Sequence, residues 1–445
     1  MKIFLLAIAC CLAFYSHSFG QQIKTARTFK AAFESSSQQN KPLMLIIHGA
    51  IVKNNLVQNY SIHPPLVYTN IRSEDLTERL NNNFVNYTTQ SADSMLTSIY
   101  QDIEIKSFPV YLFFRPNKEL YYRSYGYIRD KPAYMKMLDA ADEAYKSKSI
   151  AELEKAYLTE PTNNDLIRKL IDKRKSLGYT NNATYIEMYA TSLSVKDFND
   201  YQTVLYVLEA SPYADSKALK LAFLNKATID SIFKTEPMSK RFELNGRIIR
   251  NTMNEAIKLK SQPMAQSAAL FSRFSWTNEP EKGLRSQTSQ LLRFYIETKD
   301  TLNYLRYAVP YYERNYMYLK TDSLIKLILN GSVSTSNLKK DSISNTLSNQ
   351  SLSYSNDLDF ASKMFYKTGT RNPAYLNQAI KWSKRAIEVN PFGSYYDTLA
   401  HLQYKAGKYV EAVENQQTAI KLIKKDKVNT AYFELELKKM KDKTL

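Results

Sequence analysis

The spacing of apolar residues along this 445-residue chain changes near Ser149, and this change constrains the fold more than any other feature. Before Ser149, continuous apolar runs such as LMLII at 43–47 and VYLFF at 110–114 alternate with segments of helical periodicity. Short continuous apolar runs indicate strands that are buried on both faces of a sheet. After Ser149 only the helical period remains. The pattern therefore predicts an α/β region, residues 21–148, followed by an α-helical region.

The alternation within residues 21–148 predicts a β-sheet flanked by helices. The expected elements are a helix at 29–42, a strand at 43–47, a helix at 74–83, a strand at 84–89, a helix at 91–101, a strand at 110–114, an antiparallel edge strand at 118–127 and a helix at 131–147. The last helix has a proline in its first turn, where a missing N–H group has no helical partner to lose.

Residues 149–330 show helical patterns that predict paired antiparallel helices and allow a helical-repeat array. Ser149 and Glu152 form the S-x-x-E pattern of a capping box, and Gly178 follows an apolar helical stripe as a C-terminal cap. Residues 331–356 are rich in serine and asparagine, which predicts a linker, with a loose amphipathic helix at 343–352 as the alternative.

Alanines recur at a fixed spacing in the last part of the chain, residues 357–445. Ala379 and Ala386 are seven residues apart, and Ala412 and Ala419 repeat the same pair 33 residues later. Small residues at fixed offsets allow two helices to approach closely, and a period near 34 resembles the tetratricopeptide repeat. We expect one and a half such repeats here.

The N-terminus carries a secretory signal. Lys2 precedes an apolar run of 12 residues and a small-residue segment that ends at Gly20, so residues 1–20 are expected to be a signal peptide. The run is shorter than the roughly 20 residues that span a bilayer. A lipoprotein acylated at Cys10 or Cys11 is the alternative. The expected location is periplasmic or extracellular, with no transmembrane span.

Both cysteines of the chain, Cys10 and Cys11, lie inside the expected signal peptide. The mature chain would contain no cysteine, although an exported protein could have used disulfides. Thiol chemistry requires a cysteine thiolate. Redox catalysis is therefore excluded by composition.

The net charge is +18 at pH 7, and the excess of lysine and arginine is distributed along the whole chain. A nucleic-acid-binding protein usually concentrates such charge on one face. An even distribution favours a solvated basic surface with weak attraction to acidic polymers. No nucleic-acid partner is expected.

Two motifs in residues 41–147 resemble a thioredoxin-like domain. EIKSFPVYLFF at 104–114 is similar to the stretch that carries the family's cis-proline, here Pro109, and NKELYYRSYGY at 117–127 is similar to the hairpin that follows it. The resemblance implies a central mixed sheet flanked by helices. It also implies that an extended peptide lies along Phe108–Pro109, although the sequence leaves the cis geometry open.

The family's active-site cysteines are missing from their expected positions. The resemblance places them near Val52 and Asn55, at the N-terminus of a helix that the turn would still provide. The family's buried acid would fall near Ile46. These residues supply neither a nucleophile nor a proton carrier, so the resemblance implies a redox-inactive domain.

The remaining candidate residues carry only weak functional indications. His48 ends the first buried strand, where it could contact a ligand or be hydrogen-bonded as a strand-end residue. Four residues occupy helix positions that commonly face the groove in tetratricopeptide proteins, or are ordinary solvated residues: Asp397, His401, Tyr404 and Lys405. The histidines have no metal-ligand spacing. No catalytic residue, metal or cofactor is expected.

Together these patterns predict an exported, non-enzymatic protein: a thioredoxin-like domain without redox cysteines, followed by a tetratricopeptide-like helical array. We expect it to bind a protein or peptide of the cell envelope as a chaperone-like factor or scaffold. A thiol-disulfide oxidoreductase, suggested by fold analogy, is disfavoured by the missing cysteines. A structural envelope component that binds glycan or acidic polymer through basic, tyrosine-rich helices is the other alternative. The tyrosine-rich run at 304–320 is suited to stacking on a base or sugar, but packing between helices is the favoured interpretation.

Overall fold

The computed structural model describes residues 22–49, 73–161, 163–318 and 340–445, and the backbone of two short strands within 52–57. In the helix that starts at Lys340, side chains are described from residue 352. The expected signal peptide at 1–20, Asn55 and the first part of the expected linker lie outside the described residues. The chain forms two compact units, Met1–Asn251 and Thr252–Leu445.

The first unit begins with an α/β region and continues with helices. The α/β elements are α1 (Phe29–Gln39), β1 (Leu43–His48), β2 (Val52–Lys53), β3 (Leu56–Val57), α2 (Glu74–Asn83), β4 (Val85–Gln90), α3 (Thr97–Asp102), β5 (Val110–Phe114), β6 (Leu120–Tyr125) and α4 (Lys131–Lys146). The helices that follow are α5 (Ile150–Thr159), α6 (Asn164–Leu177), α7 (Ala183–Ser192), α8 (Tyr201–Glu209), α9 (Lys217–Ala222), α10 (Lys226–Thr235) and α11 (Met238–Leu259). The unit boundary falls inside α11.

Four strands form one mixed sheet in the order β4-β1-β5-β6. β1 pairs with β4 in parallel and with β5 antiparallel, and β6 pairs antiparallel with β5 at the edge. β2 and β3 form a separate antiparallel pair. The mixed α/β region and the following helices are as predicted, and the peptide bond between Phe108 and Pro109 is cis.

Helices cover both faces of this sheet. On one face, buried side chains of β1 and β5 pack in a common core with α2 and α4, and these side chains are Met44, Ile46, Tyr111 and Phe113. On the other face, aromatic rings of α1 pack against rings of the sheet in T-shaped, edge-to-face pairs, Phe29 with Tyr87 and Phe33 with Phe114. Because side chains alternate along a strand, the continuous apolar runs supply both faces.

The sheet is joined to the helices of its own unit by an arginine on the edge strand. The Arg123 guanidinium donates hydrogen bonds to the carbonyl oxygens of Glu104, at 2.9 Å, and Ser176, at 2.9 Å. Gly178 caps α6 in the left-handed conformation, as predicted, with φ +91°. Its carbonyl accepts from the Glu104 amide at 2.9 Å. The capping box of Ser149 and Glu152 is also confirmed.

The second unit is helical throughout the part of it that the structure describes. Its helices after α11 are α12 (Gln262–Phe274), α13 (Pro280–Glu297), α14 (Thr301–Tyr312), α15 (Lys340–Lys367), α16 (Pro373–Val389), α17 (Gly393–Lys405), α18 (Tyr409–Lys425) and α19 (Ala431–Lys441). A single π-helical turn, Glu313–Met317, follows α14.

The periodic alanines lie where helices meet. All four, Ala379, Ala386, Ala412 and Ala419, are fully buried. The Ser362 hydroxyl donates to the Ala379 carbonyl at 3.0 Å, so α15 and α16 are in close contact at this point. A side chain at Gly393 would come within 3.0 Å of the Ala419 carbonyl. Small residues are therefore required at these crossings.

The expected linker at 331–356 is wrong from residue 340 onward, because α15 begins at Lys340 and continues to Lys367. The alternative, a helix at 343–352, falls inside α15. Ser355, Leu358 and Ala361 are fully buried along this helix. Tertiary packing of that face outweighs the low helix propensity of serine and asparagine. No described helix combines the length and the apolar character needed to cross a bilayer.

We predict that Gly178→Ala destabilises the protein more than Gly126→Ala does. Both glycines have positive φ, which costs a residue with a Cβ atom about 1–2 kcal/mol. A Cβ at 178 would also overlap the Arg123 guanidinium, whereas a Cβ at 126 meets no atom within 4 Å. Moving Arg123 would break its charge-assisted hydrogen bonds, worth about 1.5–3 kcal/mol each. Urea unfolding of the two variants measures the difference, and equal losses would contradict this role of Arg123.

Candidate binding sites at the sheet end and in the C-terminal helices

The residues that the sequence singled out fall in two places. Of the nine, His48, Val52, Phe108 and Pro109 are described in the first unit, and His48 and Phe108–Pro109 lie where the C-terminal end of β1 is beside the N-terminal end of β5. A fifth, Asn55, lies outside the described residues. The other four, Asp397, His401, Tyr404 and Lys405, lie on α17 in the second unit. Each place has its own geometry.

The sheet-end site consists of His48, Gly49, Phe108 and Pro109. Ile47 pairs with Val110, which brings the residues beyond them together. Gly49 is exposed, and a Cβ atom there would lie 3.5 Å from the Phe108 Cβ. The Pro109 carbonyl accepts from the Gly126 amide at 2.9 Å. The Phe108 amide makes no hydrogen bond to another residue that the structure describes.

His48 is held at the strand end by its backbone, since its carbonyl accepts from the Ser91 amide at 2.7 Å. Burial lowers the pKa of the His48 imidazole from its ordinary value of 6.5. The ring is therefore mostly neutral at pH 7. The site presents a neutral imidazole, an exposed glycine backbone and a half-buried phenyl ring, with no charged side chain among its four residues.

The expected helix N-terminus at the active-site turn is wrong. Val52 lies in β2, which pairs with β3 through Val52–Val57 and Lys53–Leu56. Valine, which occupies both 52 and 57, favours strands. Asn55 itself lies outside the described residues. Ile46, expected near the family's buried acid, is buried in the apolar core.

On α17, two of the four predicted residues line a cavity of about 320 Å³. Asp397 and His401 line it together with Glu436 of α19 and Tyr366 of α15. His401 is only 7% exposed, so the alternative of an ordinary solvated residue is wrong for it. Glu436 is a functional candidate that the sequence did not indicate, because it lies 35 residues from His401.

Both ring nitrogens of His401 face oxygen atoms. Nδ1 lies 2.8 Å from the Asp397 carbonyl oxygen, and Nε2 lies 3.1 Å from Glu436 Oε2. Lys439 also contacts Glu436, with Nζ 2.7 Å from Oε1. The carboxylate of Glu436 thus has two cationic or hydrogen-bond-donating neighbours.

Lys405 and Tyr404 lie apart from the centre of this cavity. The Lys405 ammonium donates to the Tyr366 carbonyl at 3.2 Å and lies 5.0 Å from the centroid of the Tyr366 ring. Tyr404 instead packs against Ala400, Ala412 and Met440. The structure therefore brings Asp397 and His401 together, places Lys405 beside them and leaves Tyr404 in an apolar cluster.

The two carboxyl groups near His401 have pKa values shifted in opposite directions. Burial raises the pKa of Asp397, although His401 and the Gln416 amide act against this shift. Burial alone would raise the pKa of Glu436 as well, but hydrogen bonds from Lys439 and His401 lower it below its ordinary value. In the described part of the chain no group of three histidine, cysteine or carboxylate side chains is arranged to hold a metal ion.

Comparison of the chain with known protein families, with curated proteins and with solved structures finds no match in any of the three.

We predict opposite effects of two isosteric substitutions in this cavity. The pKa of Asp397 is higher in the folded protein than the ordinary value of 3.8 that applies to the unfolded chain. The folded state therefore binds this proton more tightly, and the protein loses stability as the pH rises from 3.8 through the folded pKa. Asp397→Asn should therefore raise the Tm at pH 7 and have little effect near pH 3. Glu436, with its lowered pKa, contributes stability above its ordinary pKa that is lost on acidification.

Glu436→Gln should accordingly lower the Tm at pH 7, with the difference from wild type disappearing at acid pH. Each unit of pKa shift corresponds to about 1.4 kcal/mol. Thermal unfolding of both variants between pH 3 and 8 measures the effect. Shifts of the same sign at pH 7 would contradict the assigned pKa directions.

Proposed function

We propose that this chain is an exported, redox-inactive, thioredoxin-like protein with a tetratricopeptide-like helical array, and that it binds polypeptide at the sheet-end site. The observation that carries the proposal is the juxtaposition of Phe108 and Gly49 at the end of the two buried central strands, β1 and β5. At this point the Phe108 amide has no hydrogen-bond partner among the described residues. No residue with thioredoxin-type redox chemistry accompanies it.

The strand order supports the thioredoxin-like assignment. In that family a parallel pair is followed by two antiparallel strands in one mixed sheet, and the order β4-β1-β5-β6 has this arrangement. Helices on both faces agree with the same architecture. Pro109 directly precedes β5, which is where the resemblance places the family's proline.

Extended peptides bind to proteins by adding main-chain hydrogen bonds along an exposed backbone edge. The Phe108 amide is a donor at such an edge, and the backbone of Gly49 beside it is exposed. The Phe108 ring supplies an apolar contact. Because the pKa of His48 is lowered, no positive charge on that ring would repel a basic peptide at pH 7.

The oxidoreductase alternative requires a thiolate that attacks a disulfide and forms a mixed disulfide. The only cysteines of the chain are Cys10 and Cys11, which precede the α/β region. A peptide at the sheet-end site would therefore be held by reversible contacts alone. This property suits a chaperone-like factor or a scaffold, which must release its partner unchanged.

The C-terminal helices support a scaffold role. The alanine period of 33 residues and the close helix crossings at Ala379 and Ala419 agree with a tetratricopeptide-like array. Such arrays present extended surfaces to partners. Within the proposal, the sheet-end site binds the polypeptide and the array provides further contacts in the cell envelope.

We predict that Phe108→Ala weakens polypeptide binding about tenfold or more, the loss expected for a central aromatic anchor. Fluorescence anisotropy with a fluorescein-labelled, cysteine-free unfolded polypeptide measures the affinity. The matched control is Leu158→Ala, which removes apolar surface from an exposed residue of α5 in the same unit. The control should bind like wild type.

Retention of wild-type affinity by Phe108→Ala would reject the sheet-end site. Equal weakening by both variants would show that the polypeptide binds apolar surface without preference for this site. Circular dichroism of each variant establishes that the fold is retained before affinities are compared.

A further inference from the structure

A second cavity, of about 590 Å³, lies in the second unit among α13, α14, the π-helical turn and α15. Its walls include the buried residues Leu292, Tyr312 and Tyr316, and we call it the tyrosine cavity. Its volume is within the range of about 300–1,000 Å³ that is typical of small-molecule sites. Nothing in the proposed polypeptide binding at the sheet end uses it.

The π-helical turn Glu313–Met317 forms part of this cavity wall. π-turns are rare and occur frequently at functional sites. Tyr316 lies within the turn and Tyr312 directly before it, and their ring centroids are 5.4 Å apart. The Tyr316 hydroxyl donates to Asp357 Oδ2 at 2.7 Å, and the Tyr354 hydroxyl donates to the Tyr316 carbonyl. The turn therefore holds aromatic rings in fixed positions at the cavity.

Arg285 of α13 is oriented by the same tyrosine. One guanidinium nitrogen donates to the Tyr316 hydroxyl at 2.7 Å, and Cζ lies 5.0 Å from the centroid of the Tyr316 ring. A guanidinium has five N–H donors, and Tyr316 uses one of them in this contact. Its planar arrangement matches a carboxylate. Arg285 is thus a fixed cation in the cavity wall with donors for an anionic group.

The other residues that line the tyrosine cavity include both positively and negatively charged side chains. Lys282 lies 5.5 Å from the centroid of the Trp276 ring, and Arg293 adds a third cation. Glu297 and Asp357 are carboxylates in the same wall, and Ser289 adds a hydroxyl. A polyphosphate would be repelled by the two carboxylates, and an apolar ligand would displace water from the charged groups without replacing the hydrogen bonds of that water.

We propose that the tyrosine cavity binds a saccharide that carries a carboxylate, that is, a uronic acid unit of an acidic glycan. The C–H faces of the sugar ring pack on the aromatic side chains. The sugar carboxylate pairs with Arg285, whose guanidinium Tyr316 already orients. The sugar hydroxyls donate to Glu297 and Asp357. Each class of lining group then has a partner in one ligand.

Isothermal titration calorimetry of the full chain with digalacturonic acid tests this site, with neutral galactobiose and inorganic phosphate as comparison ligands. We expect binding of digalacturonic acid and at least tenfold weaker binding of the other two. Arg285→Gln should weaken binding about 10- to 100-fold through loss of charge-assisted hydrogen bonds. The matched control is Arg306→Gln, an exposed arginine of α14 outside the cavity, which should bind like wild type.

Arg285→Gln also removes the contact with Tyr316, so a loss of binding in this variant has two explanations, a lost ligand contact or an altered fold. A second variant tests the cavity without removing that contact. Ser289→Trp introduces a bulky side chain at an exposed lining position, and it should abolish binding with the Tm unchanged. Three outcomes would overturn the proposal: no binding by wild type, equal binding of galactobiose or phosphate, or equal loss in Arg285→Gln and Arg306→Gln. Polypeptide binding by Phe108 variants is unaffected by any of them, so this proposal and the proposed function fail independently.

Discussion

The burial of β1 and β5 on both faces is the constraint on which the first unit depends. Every residue of 43–47 and 110–114 is at most 4% exposed. Strands of this kind need a cover of helices on each side, which α1 supplies on one face and α2 and α4 on the other. Once both faces are covered, solvent reaches these strands only at their ends. A ligand of the sheet must therefore contact strand-end residues, and His48 and Phe108 are two of these.

Charged and polar side chains determine how helices meet where apolar packing alone would allow several arrangements. Arg123 joins the edge strand to the end of α6 through carbonyl oxygens. In the second unit, Glu313 accepts hydrogen bonds from the Trp382 indole at 3.0 Å and from Lys381 at 3.0 Å. Such buried or half-buried bonds are costly when unmade, so they select one packing among similar ones. In a region without cysteine, this selection rests entirely on noncovalent contacts.

The sequence correctly predicted those strands, caps and helix ends that depend on residues only a few positions apart. The strands at 43–47 and 110–114, the capping box at Ser149 and the helix end at Gly178 all follow from residues a few positions apart. The linker prediction at 331–356 was wrong over α15 because Ser355 and its neighbours are buried by helices distant in sequence. The expected helix at Val52 was wrong because a resemblance to a family carries no information on an altered loop. The run at 304–320 is conspicuous in the sequence for its tyrosines, but no sequence pattern indicates the π-helical turn at Glu313–Met317.

The sequence by itself determined the strands at 43–47 and 110–114, the helical cover on both faces that such apolar runs require, the small residues at two helix crossings, and the absence of cysteine after Cys11. These properties depend on residue type and short-range spacing, and both can be read directly from the sequence. Only the tertiary structure decided which side chains share a cavity. His401 meets Glu436 across 35 residues, Arg285 meets Tyr316 across 31, and Tyr316 meets Asp357 across 41. Contacts of this kind depend on the angles and distances between packed helices, and those are set by the whole core rather than by any one segment.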